Sequence, residues 1–463
     1  MAGGGADAWR HSPGRGHGRA GTLTQHMHDD ATGRTGPADS AGSRPGGDPR
    51  RLESDAGLVD VIRDEILAHG PITFARFMER ALYEPDRGYY AGPDPRPGRD
   101  GDFLTAPEAH DLYGRTLARQ VAECWHRLGG PAGFTIREYG AGNGLLAAAI
   151  LAGLRDAQPG AYAATTYEPV ELNPWRMAEL RERLDRAGMG DRLGPAVDSA
   201  ASSSRSSGTR PAVGPHGTVA SAAPITGVVL ANEFLDALPV HRVERRDGRL
   251  VEIGVGWRDG WFADEPMPVL TPGIEACLER EGTSLAEGQR TEVNPGIGDW
   301  TRTLAREFAR GWVIVVDYGM PSAGLRSAER FQGTLKGVAG HRVEPDPYAR
   351  VGRQDLTAHV DLTALEREAV DAGLDVIGST TQARFLVHLG MGPLLVAAQE
   401  RAPSVTQALE TRSTARWLLD PRGTGGFAVM VLGRDVPQEP PLAGLGGAET
   451  LGEHPGARGH PGG

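Results

Sequence analysis

The chain has 463 residues, of which 66 are Gly and 34 Pro, with 39% apolar side chains and a formal net charge of −11. A membrane helix would need a run of about 18 apolar residues, which is nowhere present, and so acidic a chain is ill suited to general nucleic-acid binding. Two cysteines, Cys124 and Cys277, belong to no ligand-spaced group, which excludes a disulfide framework and a zinc ribbon.

Residues 1–53 contain no Ile, Val or Phe, so they cannot bury enough surface to offset ordering entropy and are expected to be a disordered tail. No apolar stretch of secretory type stands behind the basic start, and a cytoplasmic protein is expected. The next region, 54–130, carries helical periodicity at 58–68, 74–82 and 113–128, and reads as a helical cap packed over a sheet. From 131 to 434 the pattern changes. Apolar runs at 134–139, 165–170, 226–231, 312–316, 375–378 and 426–432 predict buried strands, with helical patterns at 145–155, 174–186 and 300–309 between them. Continuous rather than alternating apolarity predicts a parallel sheet covered on both faces, hence an α/β, doubly wound, Rossmann-like fold.

Three segments interrupt this regularity. Residues 199–224 are a Ser-rich low-complexity piece, read as a surface insertion. Residues 240–265 alternate about Asp247-Gly248, a hairpin signal, with Trp261-Phe262 as a third strand; they predict a small antiparallel β-ribbon. The Pro- and Gly-rich end, 435–463, is expected to be a second disordered tail. Between them, Thr363 and Glu366 have capping-box spacing, Leu365, Ala369 and Val370 form an apolar face, and Gly373 closes the predicted helix.

The chemistry concentrates at the ends of predicted strands. Glu138-Tyr139-Gly140-Ala141-Gly142-Asn143-Gly144 follows the first strand and opens a helix. Glycines there let a ligand approach the backbone with no Cβ in the way. A dinucleotide fingerprint would require Gly at 145, where Leu145 stands, which weakens a nicotinamide reading. The G-x-G-x-G loop behind an acid resembles the first motif of class I methyltransferases that use S-adenosylmethionine; Glu138 is suited to the amino group of such a cofactor. Glu171, at the end of the second strand, is the candidate acid for ribose hydroxyls, with Glu168 as competitor. Asn232, Glu233 and Asp236 follow the third strand, where a methyl acceptor would lie; two carboxylates there could orient a guanidinium and stabilise its charge as a proton leaves. Asp317 ends a later strand and either lines the crevice or caps its loop. His341 and His359 lack ligand spacing, so hydrogen-bonding or general-base roles are favoured for them and no metal is expected.

Taken together, these segments resemble the MidA-type proteins, also described as the mitochondrial complex I assembly-factor methyltransferases. The resemblance rests on Gly70-Pro71-Ile72 with Met78, Ala81-Leu82-Tyr83 to Gly88-Tyr89-Tyr90, Gly101-Asp102-Phe103-Leu104-Thr105-Ala106-Pro107-Glu108, the glycine loop, Ala231 to Val240, Asp317-Tyr318-Gly319, Gly333-Thr334-Leu335 and Gln354 to Asp361. It implies a class I methyltransferase fold and S-adenosyl-L-methionine as methyl donor. It further implies a protein arginine as acceptor, on a respiratory-complex subunit among the mitochondrial relatives. Residue by residue it assigns Gly140, Gly142 and Gly144 to the cofactor loop, Glu171 to the ribose, and Asn232, Glu233 and Asp236 to the motif after the third strand, which are expected to be catalytic; Glu138, Asp102 and Thr105 are expected to join the cofactor site and His359 the catalytic set. The chain departs from the family pattern at Ala141, usually Pro, at Tyr113, usually Phe, and at Arg115, usually an acid. A cofactor-holding assembly factor with little catalysis is the alternative of a different class.

Overall fold

The computed structural model describes residues 48–92, 101–194 and 224–446. The expectations for 1–47, for the 199–223 insertion and for 447–463 lie outside those residues.

The N-terminal helices α1 (Ala56–His69) and α2 (Phe74–Tyr83) begin where Asp55 and Thr73 accept the amide hydrogens of Leu58 and Arg76, as capping side chains should. A third helix, α3 (Leu112–Arg127), leads into β1 (Phe134–Tyr139). There follow α4 (Leu145–Ala157), β2 (Thr165–Val170), α5 (Pro174–Arg186), β3 (Ile225–Asn232), α6 (Gly296–Glu307), β4 (Phe308–Asp317), α7 (Leu362–Asp371), β5 (Asp375–Thr381) and β6 (Ala428–Arg434). The six strands form one sheet in the order β5-β6-β4-β3-β1-β2. β2, β1, β3 and β4 are parallel neighbours, as expected, whereas β6 runs antiparallel to both β4 and β5. The sheet is thus mixed. Apolarity marks a strand as buried on both faces but says nothing of its direction.

Two apolar layers cover the sheet. On one face α3, α4 and α5 pack with Ile136, Leu230 and Ile314, and on the other α6 and α7 pack with Val229, Val313 and Leu432. The N-terminal helices do not lie over this sheet. Leu58, Ile62, Phe77 and Leu82 of α1 and α2 share a separate core with Val255, Trp261 and Phe262 of the ribbon, and Ile72 pairs in a β-bridge with Val255. That ribbon has a fourth strand, Arg290–Val293, paired with His241–Arg246, beside the three expected from the sequence. The cap on α7 also differs: Asp361, not Thr363, accepts from the Ala364 amide, Thr363 instead accepts from Ser322, and Val370 is exposed. At both ends the ordered structure runs past the expected boundaries. Arg50–Glu53 is helical, and Leu442 and Leu445 are buried where Arg127 donates to the carbonyls of Pro440 and Pro441.

Candidate functional site

Register brings the strand ends level. Tyr139 of β1 pairs with Val170 of β2 and Ala231 of β3, and Ala231 pairs with Val315 of β4. The residues just beyond them therefore share one crest at spacings of about 5 Å per strand, the place where ligands bind in open α/β sheets.

At its centre is the glycine turn. Gly140, Gly142 and Gly144 have φ of 69°, 53° and 78°, a left-handed region that glycine occupies without penalty. A Cβ on Gly144 would meet Leu180 at 2.6 Å, so this glycine is demanded by packing of α4 on α5. One on Gly142 would meet only the Gly140 carbonyl, at 4.0 Å. The open side of Gly142 is where a ligand can reach the main chain. The Gly142 amide donates to Oε2 of Glu171 at 2.8 Å, while Oε1 of Glu171 accepts from Asn173 at 2.8 Å. Glu138 lies beneath, 3% exposed, accepting from the Tyr167 hydroxyl at 2.6 Å. Burial, with the nearby Glu171 charge adding and the Tyr167 hydroxyl opposing, pushes its carboxyl up to about 8. The competing acid Glu168 is engaged elsewhere: with Glu307 it holds the fully buried Arg137, at 2.6 and 2.8 Å.

The loop after β3 carries the other acids. Glu233 is held at φ 50°, a conformation that costs a non-glycine residue about 1 kcal/mol. Its Oε1 accepts from the Ala106 amide and the Asn232 side chain, each at 3.3 Å. Burial, then the neighbouring Asp236, raises its carboxyl to about 8. Asn232 in turn accepts from the Tyr113 hydroxyl. Thus Tyr113, a departure from the family's Phe, has a specific partner. Arg115, the other departure on α3, is paired with Asp111 and with Asp156 of α4. Asp236 is 6% exposed; its Oδ2 accepts from the Tyr318 hydroxyl, and its Oδ1 has no hydrogen-bond partner. Burial pushes its carboxyl up to about 6.

Asp317 caps. Its Oδ2 accepts the amides of Phe234, Leu235 and Asp236, which holds the Asn232–Asp236 loop in shape. Of the remaining sequence candidates, Thr105 starts the short helix Ala106–Ala109 in a capping box with Glu108 and so delivers the Ala106 amide to Glu233. Both carboxylate oxygens of Asp102 are engaged, by Tyr89 and by the Gly340 amide, anchoring the turn between Lys336–Ala339 and Arg342–Glu344. His359 is half-buried, its amide donating to Thr334 and its ring edge-on to Tyr318 at 5.5 Å. A further acid, Asp355, opens the short strand Asp355–Thr357 outside the main sheet, accepts from the Tyr90 hydroxyl at 2.8 Å, and was not singled out from sequence. Its signal was its place in the segment Gln354 to Asp361, which carries part of the resemblance.

The crest therefore gathers Glu138, Glu171, Glu233, Asp236 and Asp317, with Asp355 on a neighbouring strand, and none of the six forms an ion pair with a described residue. Burial raises all six carboxyls, with repulsion adding at Glu138, Glu233, Asp317 and Asp355, and a positive ligand would be drawn to the site. Among the described residues no group of His, Cys, Asp and Glu has the arrangement of a metal site, and no helix is long and apolar enough to cross a membrane.

Comparison with known proteins agrees with this geometry. A family described as "Putative S-adenosyl-L-methionine-dependent methyltransferase" matches residues 116–380. The chain is 26% identical over 390 residues to the mitochondrial protein arginine methyltransferase NDUFAF7 of Mus musculus, covering 79% of this chain and 81% of that one. It is 28% identical over 359 residues to the Drosophila melanogaster homologue, covering 73% and 76%. Among solved structures, a Burkholderia thailandensis protein bound to S-adenosyl-homocysteine superposes with a TM-score of 0.74 at 32% identity, covering 88% of this chain and 98% of that one.

Proposed function

Because the chain belongs to this family of S-adenosyl-L-methionine-dependent methyltransferases, we propose that the group it methylates is the guanidinium of a protein arginine. The cofactor supplies an electrophilic methyl group on a sulfonium; everything else is asked of the chain. The residues present suit it: Gly142 leaves its main chain approachable, Glu171 lies beside that glycine, and the buried Glu138 favours a positive amino group. On this reading Glu138, Gly140, Gly142, Gly144 and Glu171 hold the cofactor, while Asp102 and Thr105 shape the crest from outside rather than touch it.

The observation that carries the arginine reading is the bare Oδ1 of Asp236 among buried carboxyls that have no ion pair. Such a group costs free energy unless a donor meets it, and a guanidinium offers five donors in a planar fork. Glu233 and Asp236 would orient the acceptor, and Asp236, ionised near neutrality, would take the proton released as the nitrogen gains a methyl group. Asn232 and His359 then serve to position these acids, Asn232 through Glu233 and His359 through Tyr318. The names of the mitochondrial relatives point the same way, and a respiratory-complex subunit is the first acceptor to try. The purified chain, incubated with the cofactor and a protein extract, should generate methylarginine detectable by mass spectrometry of acid hydrolysates. Methyl transfer confined to other residues would remove arginine. Cofactor binding without any transfer would favour the assembly-factor alternative.

A further inference from the structure

The acceptor site has a wall that the residues above do not account for. Tyr83, at the end of α2, and Tyr90 lie with rings nearly parallel, centroids 5.8 Å apart and planes at 21°, and Tyr89 meets Tyr90 edge-on at 5.0 Å. The Tyr83 hydroxyl donates to the carbonyl of Ala237 at 2.8 Å, next to Asp236. The Tyr90 hydroxyl donates to Oδ1 of Asp355 at 2.8 Å. Asp355 is 2% exposed and lies three residues before Ala358, whose amide donates to the Asp236 carbonyl at 3.1 Å. The side-chain amide of Asn173 donates to the carbonyls of Tyr90 and Gly92, at 2.7 and 2.8 Å, and so pins the aromatic segment to the end of β2. Four stretches of chain distant in sequence are thus tied together beside Asp236, whose Oδ1 has no hydrogen-bond partner.

We propose that Tyr83, Tyr90, Asp236 and Asp355 form one chamber that binds the acceptor's guanidinium and selects this planar, delocalised cation over a lysine ammonium. The proposal rests on the arginine reading given above. Its chemistry follows from the difference between the two cations. A guanidinium is weakly hydrated, stacks on aromatic faces and presents donors on two edges; an ammonium is a compact, strongly hydrated point charge that gives up water at greater cost. An aromatic wall with one carboxyl on either hand suits the first. Burial, then the charge of Asp236, pushes the Asp355 carboxyl up to about 8, so the two acids already sense each other. Burial, then the charges of Asp355, Asp236 and Glu171, raises the Tyr83 phenol.

The test uses the full chain saturated with S-adenosyl-homocysteine and titrated with N-acetyl-arginine methylamide, with the lysine and citrulline counterparts as controls. The arginine probe should bind at least tenfold more tightly than either control. D355N should weaken it at least tenfold and Y90F several-fold, with affinity for S-adenosyl-homocysteine held within twofold. Equal affinity for the arginine and citrulline probes, or both variants within twofold of the unaltered chain, would overturn the chamber. Should D355N lose S-adenosyl-homocysteine binding and with it the fold, Y90F, which removes one hydroxyl, decides the matter alone. Methylarginine formed by a chain whose D355N and Y90F variants bind the probe normally sinks the chamber and leaves the arginine reading standing. A selective chamber in a chain that forms no methylarginine does the reverse.

Discussion

The main-chain amide of Gly142 donates to the carboxylate of Glu171 at 2.8 Å, so the glycine turn and the acid at the end of β2 are one hydrogen-bonded unit. In Glu171→Gln the amide nitrogen would face a donor, Gly142 or Asn173, on one side. Affinity for S-adenosyl-homocysteine should fall at least tenfold, about 1.4 kcal/mol, by titration calorimetry. Glu168→Gln should leave that affinity within twofold and instead lower stability by about 1–3 kcal/mol, because buried Arg137 then keeps a single full partner. Equal effects on binding would reopen the choice between the two acids.

Cofactor binding should release protons. Burial holds Glu138 near 8 against an ordinary 4.5, so at pH 7 it is mostly protonated in the free protein, and a positive group placed beside it favours the ionised form. Affinity for S-adenosyl-homocysteine should rise between pH 6 and pH 8, by at most tenfold per unit, and level off above. Glu138→Gln should flatten this dependence, and calorimetry in buffers of different ionisation enthalpy should count the proton. The folded protein also binds more protons than the unfolded chain between about 4.5 and 8, since Glu138, Glu233 and Asp355 are all raised. The free protein should therefore lose stability as pH rises through that window. A melting temperature that climbs instead would contradict the burial of these acids.

The second and third glycines of the turn should separate when replaced by alanine. Gly142→Ala adds a methyl with nothing nearer than 4.0 Å, so only backbone strain of about 1 kcal/mol follows. The fold should persist while cofactor affinity drops at least thirtyfold. Gly144→Ala drives a methyl against Leu180 at 2.6 Å and should be the less stable protein by thermal melting.

Tyr113→Phe restores the residue usual in the MidA-type pattern and deletes one hydroxyl. The lost hydrogen bond to Asn232 should lower stability by about 1 kcal/mol. Turnover should fall while affinity for S-adenosyl-homocysteine is unchanged, since Asn232 bonds to Glu233 and not to the glycine turn. A loss of cofactor affinity would mean that Asn232 belongs to the other half of the site.

What was legible in the sequence was local. Glycine spacing, an acid after an apolar run and a hairpin dipeptide are each written within a dozen residues, and β1, β2, α5 and the glycine turn were read from such signals. What escaped depends on partners distant in the chain. The reversed direction of β6 follows from its pairing with β4, not from its apolarity. Both Asp361 and Thr363 have cap chemistry, and it is the bond from Ser322 to Thr363 that leaves the cap to Asp361. The α1 and α2 apolar faces announced a core but not which core, and the bridge from Ile72 to Val255 settles it on the ribbon. Asp355 escaped for the same reason, since its meaning comes from a tyrosine far upstream.

That last pair has a consequence for the order of assembly. Tyr90 and Asp355 are separated by 265 positions, and closing so long a loop is among the slower events a chain undertakes. During synthesis the glycine turn, Glu171 and Asp236 are all available well before Asp355 leaves the ribosome. If the chamber proposed above selects the acceptor, only the finished protein can choose what it methylates.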